Sequence, residues 1–166
     1  MSHLGVAGQH TPSLAEEIDQ AAQAAQADRC LALWQEGLDF LASVHARSQC
    51  LSQAFARNIV RCADGQLGAV DFEDDPSAAL SLALCQLRDY LAYIHSTALY
   101  LQEADLMAQA QQAWQSWLAA PARSPVLRAD MAQALTRMAW LRHLPSDRSW
   151  GRDAQRLRAA YALLNG

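Results

Sequence analysis

Residues 58–76 read NIVRCADGQLGAVDFEDDP. Two short runs rich in Val and Ile, 58–62 and 67–72, flank ADGQ, a turn signal, so the stretch predicts one β-hairpin. Asn58 opens the first strand and Asp71 closes the second, and antiparallel pairing brings these two residues together at one edge. An amide oxygen beside a carboxylate, with Glu73, Asp74 and Asp75 just beyond, makes an oxygen-only ligand set. Hard cations such as Mg²⁺ take oxygen ligands and keep water or phosphate for the remainder. The bland alternative has Asn58 capping a turn, Asp71 paired with Arg57 or Arg61, and the acidic run solvated.

A two-stranded hairpin is marginal alone, so this one must lie on a larger body. The flanking sequence supplies helices. Ser13 with Glu16 three residues on is a capping box opening a helix over 13–26. Leu31, Trp34, Leu38, Leu41 and Val44 form the apolar stripe of a second helix over 27–48. Beyond Pro76, helical patterns cover 78–101, 103–119, 126–144 and 152–164, interrupted at Pro121, Pro125 and Pro145. The expected fold class is mainly α with one β-hairpin.

At 166 residues the chain is one domain by size. Apolar residues are 52% and charged residues 18%, a composition suited to a globular core. The net charge of −4 argues against nucleic-acid binding, which needs a basic face. Cys30, Cys50, Cys62 and Cys85 lack C-x-x-C spacing and read as reduced thiols. With no apolar run of membrane-spanning length and no signal-peptide pattern, a cytoplasmic location and no membrane partner are expected. His45 reads as a helix C-terminal residue favourable to the dipole, His95 as a core or interface histidine, and the tryptophans as core packing.

The segment ARNIVRCADGQLGAVDFEDDP resembles the catalytic-loop-to-metal-loop region of kinase-like phosphotransferases, in particular the aminoglycoside phosphotransferase and choline kinase-like branch. There an H-x-D-x-x-x-x-N loop leads into a hairpin ending in Asp-Phe-Gly or Asp-Phe-Glu. The resemblance implies a protein-kinase-like C-lobe over 1–166, with 1–12 as a lobe-linker remnant and 58–72 as the metal-loop hairpin. It implies Asn58 and Asp71 as ligands of Mg²⁺ and ATP, Glu73 as a further metal candidate and Phe72 as a packing residue. CQLRDYLAYIHSTALYL is similar to the next large helix, and Asp89 within it would anchor the catalytic loop through backbone hydrogen bonds.

The departures from that pattern matter as much. Gln53 stands where the family has its catalytic Asp, and Leu51 where it has His. Glutamine cannot accept a proton as a carboxylate does, so general-base catalysis is lost at this position. The chain has no lysine, and on this resemblance residue 1 falls where the family's two lobes meet, so an ATP cleft with only one wall is expected within it. The expectation is a degenerate domain that binds nucleotide and metal, or regulates, with little or no catalysis. Two alternatives remain: an active phosphotransferase completed by an N-lobe from another chain or upstream sequence, and a helical interaction scaffold. The expected partner is an N-lobe-bearing chain, or a second copy docking on the exposed lobe face.

Overall fold

The computed structural model describes residues 11–51, 53–70, 78–144 and 151–166. Its elements run α1 (Leu14–Gln23), α2 (Ala27–His45), β1 (Ile59–Arg61), β2 (Leu67–Ala69), α3 (Leu82–Glu103), α4 (Met107–Ala119), α5 (Pro125–Arg137) and α6 (Gly151–Leu164). The chain is therefore mainly helical with one small antiparallel hairpin. The third helix begins at Leu82 rather than 78, because Ser81 is its N-cap and accepts the Leu84 N–H. The fifth stops at Arg137 and passes into a 3-10 turn over Ala139–His143.

Ser13 caps α1 through a reciprocal pair. Its Oγ accepts the Glu16 N–H at 3.3 Å, and Glu16 Oε2 accepts the Ser13 N–H at 2.7 Å. The helix ends in a Schellman turn at Ala25, φ 54°, with Gln26 N–H donating to Ala21 O at 2.9 Å. The same joint recurs between α3 and α4, where Asp105 has φ 59° and Leu106 N–H donates to Leu101 O at 2.8 Å. Neither left-handed position is a glycine, so sequence pattern does not announce these stops.

α3 is the central element, packed on every other helix. It meets α2 closely at Gly37, where a Cβ would collide with the Tyr93 ring and with Leu14. A closed ring of hydrogen bonds surrounds that contact. Tyr93 Oη donates to Trp34 O at 2.9 Å, Trp34 Nε1 donates to Thr97 Oγ1 at 3.1 Å, and Thr97 Oγ1 donates to Tyr93 O at 2.9 Å. Trp34, Tyr93 and Thr97 are all fully buried, so their polar atoms have no recourse to water. In the α2 stripe, Trp34, Leu38 and Leu41 are buried, whereas Leu31 and Val44 are half-buried and Cys30, Leu33 and Gly37 complete the inner face. None of the four cysteines is in a disulfide. Of the tryptophans, Trp34 and Trp114 are core, Trp140 is 60% exposed, and Trp150 lies outside the described residues. Among the described residues no helix is long and apolar enough to cross a membrane.

The hairpin pairs Ile59 with Ala69, Val60 with Gly68 and Arg61 with Leu67, and Gly65 turns it at φ 84°. On its other side Val60 bridges to Ser13, which ties the hairpin to the start of α1. Arg61 fastens it further. Nε and Nη2 hold Glu17 of α1, Nη1 and Nη2 hold Glu36 of α2 at 2.8 Å, and Nη1 also donates to Gly65 O at 2.9 Å.

Two substitutions test this packing. Gly37→Ala is expected to destabilise by about 2–3 kcal/mol, because the added methyl meets the Tyr93 ring, which its bond to Trp34 O of α2 holds in place. Exposed Ala25→Gly is expected to stabilise by about 0.5–1 kcal/mol, since glycine enters the left-handed region without strain. Urea unfolding midpoints at constant slope read both.

Candidate functional site

Residues 49–51 and 53–58, between α2 and β1, hold little regular structure beyond a 3-10 turn at Ala56–Asn58. Their shape is imposed by one polar face of α3. Gln86, Asp89, Tyr93 and Ser96 follow one another at three- and four-residue spacing, so they share that face. Gln86 Nε2 donates to His45 O at 3.2 Å and to Gln49 O at 3.0 Å. Asp89 Oδ2 accepts the Leu51 N–H at 2.8 Å, and Ser96 Oγ accepts the Ala56 N–H at 3.0 Å.

Asp89 is 2% exposed, and its second partner is His45 Nε2 at 2.8 Å. A carboxylate only accepts, so the proton of that contact sits on Nε2. The imidazole also stands edge-on to Tyr90, with centroids 4.8 Å apart. His45 is thus the side-chain partner of a buried carboxylate, a role its place at a helix end did not reveal. His95 instead lies beside the loop, edge-on to Phe55, and burial pushes its pKa below the ordinary value.

Asn58 is 6% exposed and closes the loop. Its Nδ2 donates to Gln53 O at 3.1 Å, its N–H donates to Phe55 O at 2.8 Å, and its carbonyl accepts the Val70 N–H at 2.8 Å. That last bond sets Asn58 opposite Val70, one residue short of Asp71 along the chain. Asp71, Phe72, Glu73, Asp74 and Asp75 lie outside the described residues. Among the described residues no cluster of three or more His, Cys, Asp or Glu can hold a metal. Gln53 is held at its backbone by Asn58, and its side chain is half-buried. Arg61, one candidate partner for Asp71, is already committed to Glu17 and Glu36, while Arg57 stacks its guanidinium 4.6 Å from the Phe55 ring centroid.

An open cleft of about 460 Å³ is lined by Thr11, Ser13, Ala15, Glu16, Asp19, Arg57, Val60 and Tyr100, the chain neighbour of Asn58 among them being Arg57. Ser13 and Val60 are the bridged pair that joins α1 to the hairpin, so this cleft sits over the same junction. No family model, curated protein or solved structure matches the chain.

Sequence pattern missed His45, Gln86 and Ser96. The only signal available was their residue type. Three polar side chains at 86, 89 and 96 interrupt an apolar helix at helical spacing, which marks a polar face without naming what it grips.

Asp89→Ala leaves Leu51 N–H and His45 buried without their acceptor, and about 3 kcal/mol of stability is expected to be lost. Equilibrium unfolding checks this, with Asp89→Asn expected to recover part of the loss. The hairpin clamp has a pH signature. Its hydrogen bond to Arg61 holds the Glu36 carboxyl below its ordinary pKa, so the stabilisation is present above the ordinary carboxylate range and fades as pH falls through the lowered value. Arg61→Met is expected to raise hydrogen exchange at the Val60 and Gly68 amides, the hydrogen-bonded pair of the ladder, and to remove that acid dependence. The partly exposed pairs limit the loss to about 1–2 kcal/mol.

Proposed function

We propose that the chain is a degenerate kinase-like phosphotransferase domain that binds nucleotide with Mg²⁺, or regulates through that surface, and carries little or no catalysis. The observation that supports this best is the tied loop: Asp89 gripping Leu51 N–H from inside, and Asn58 bonded back to Gln53 O at the hairpin edge. An Asn held at that position, one register step from an Asp, suits a divalent cation bridging phosphates. The adjoining cleft offers Val60, Ser13 and Arg57 to a nucleoside, and the carboxylates Glu16 and Asp19 also line it, so phosphates there need the metal's charge. In this reading Asn58 and Asp71 hold the metal and Glu73 assists, and Gln53 orients an acceptor without taking its proton. The partner is an N-lobe-bearing chain or a second copy.

A thermal-shift titration with Mg²⁺ and ATP tests the reading. At about 100 times the dissociation constant a ligand stabilises by roughly 2.7 kcal/mol, on the order of 5–10 °C for a chain of this size. The expected shift requires Mg²⁺ and is lost in Asp71→Ala. No shift at millimolar nucleotide, or a shift that survives the substitution, contradicts the reading.

A further inference from the structure

A second cleft, of about 570 Å³, opens where the C-terminal end of α2, the first turns of α3 and the α4–α5 connection meet. Its volume lies within the range of small-molecule sites. The walls are mainly apolar, with Ala42, Ala46, Leu82, Ala83, Val126 and Leu127 contributing. Leu82 is 38% and Val126 56% exposed, so both keep apolar surface in water. The charged or titratable side chains on the wall are His45, Tyr90, Arg123 and Asp130. His45 is occupied by Asp89. Burial raises the Tyr90 phenol well above its ordinary pKa and keeps it neutral.

Arg123 and Asp130 are the groups with unspent capacity. The Arg123 guanidinium lies 3.9 Å from the Trp117 ring centroid, and Nη2 donates to Asp39 Oδ1 at 2.9 Å. Its Nε is the one buried side-chain nitrogen or oxygen among the described residues without a hydrogen-bond partner, and Nη1 carries no bond within them either. The contrast with Arg61, whose nitrogens are all engaged, is direct. Nε is shut off from solvent and so from any ligand, whereas Nη1 keeps solvent contact and is the donor that a ligand's acceptor can reach. Asp130, half-buried on the same wall, makes no side-chain hydrogen bond or ion pair with the described residues and offers an acceptor.

We propose that this cleft binds a small apolar molecule whose head carries both a hydrogen-bond acceptor and a donor, as an apolar amino acid does. The acceptor meets Arg123, the donor meets Asp130, and the apolar body lies on the alanine and leucine walls. The site uses none of the residues assigned to nucleotide or metal, so it stands or falls separately.

Three probes with one apolar body separate the contributions: L-phenylalanine, phenylpropionate and phenethylamine, titrated by NMR against the full chain. L-phenylalanine is expected to bind saturably, and about tenfold or more tighter than either single-headed probe. Asp130→Asn is expected to bring L-phenylalanine down to the level of phenylpropionate, and Arg123→Met down to that of phenethylamine. Exposed Ala83→Trp fills the cleft from its rim and is expected to abolish binding of all three. Because Asp130 and Ala83 have no structural bonds to lose, these two variants keep the test decisive if Arg123→Met unfolds. Absence of saturable binding, equal affinity of the three probes, or binding unchanged by Ala83→Trp overturns the proposal.

Discussion

A carboxylate removed from water costs several kcal/mol unless its oxygens are hydrogen-bonded, and Asp89 is 2% exposed in the middle of the central helix. Leu51 N–H and His45 Nε2 both reach the same Oδ2 at 2.8 Å. The rest of the candidate site depends on that pair of bonds. The loop after α2 has no regular ladder to hold it, so the side chains of α3 replace one: Gln86 at its entry, Asp89 in the middle and Ser96 at its exit. Asn58 then returns to Gln53 O and passes the chain into β1 with a fixed register.

The hairpin is fixed by a different kind of interaction. Three-residue strands have too little pairing to stand alone. Arg61 makes up the deficit by joining two helices and the turn in one planar group, a use of guanidinium that lysine could not copy. The chain contains no lysine, and another arginine, Arg123, stacks on Trp117 and leaves donors unused. The same residue type therefore serves as a saturated fastener at one place and an incompletely bonded wall at another.

Features with short sequence separation were legible. Ser13 and Glu16 announce a capping box from three residues apart, ADGQ announces the hairpin turn, and the Trp34–Leu38–Leu41 stripe announces the buried face of α2. The helix joints at Ala25 and Asp105 were harder to see, because a left-handed residue without glycine leaves no compositional mark. The long-range bonds were invisible to periodicity. His45 with Asp89 spans 44 residues and Trp34 with Thr97 spans 63, and no spacing rule connects them. The role of Asp89 entered from the resemblance to kinase-like phosphotransferases, and its grip on Leu51 is a matter of geometry. The acidic run, Asp71 with Glu73, Asp74 and Asp75, lies outside the described residues, and the hairpin register reaches only to Val70 opposite Asn58.

The most direct test of the nucleotide–metal reading is paramagnetic. Mn²⁺ substitutes for Mg²⁺ and broadens amide resonances near its site. With ATP present, Mn²⁺ is predicted to broaden Asn58, Val60, Val70 and Ser13 first and to leave α6 sharp, and Asp71→Ala is predicted to remove the effect. Uniform broadening, or broadening centred on the exposed carboxylates of α1 and α6 with the hairpin edge untouched, would contradict the account.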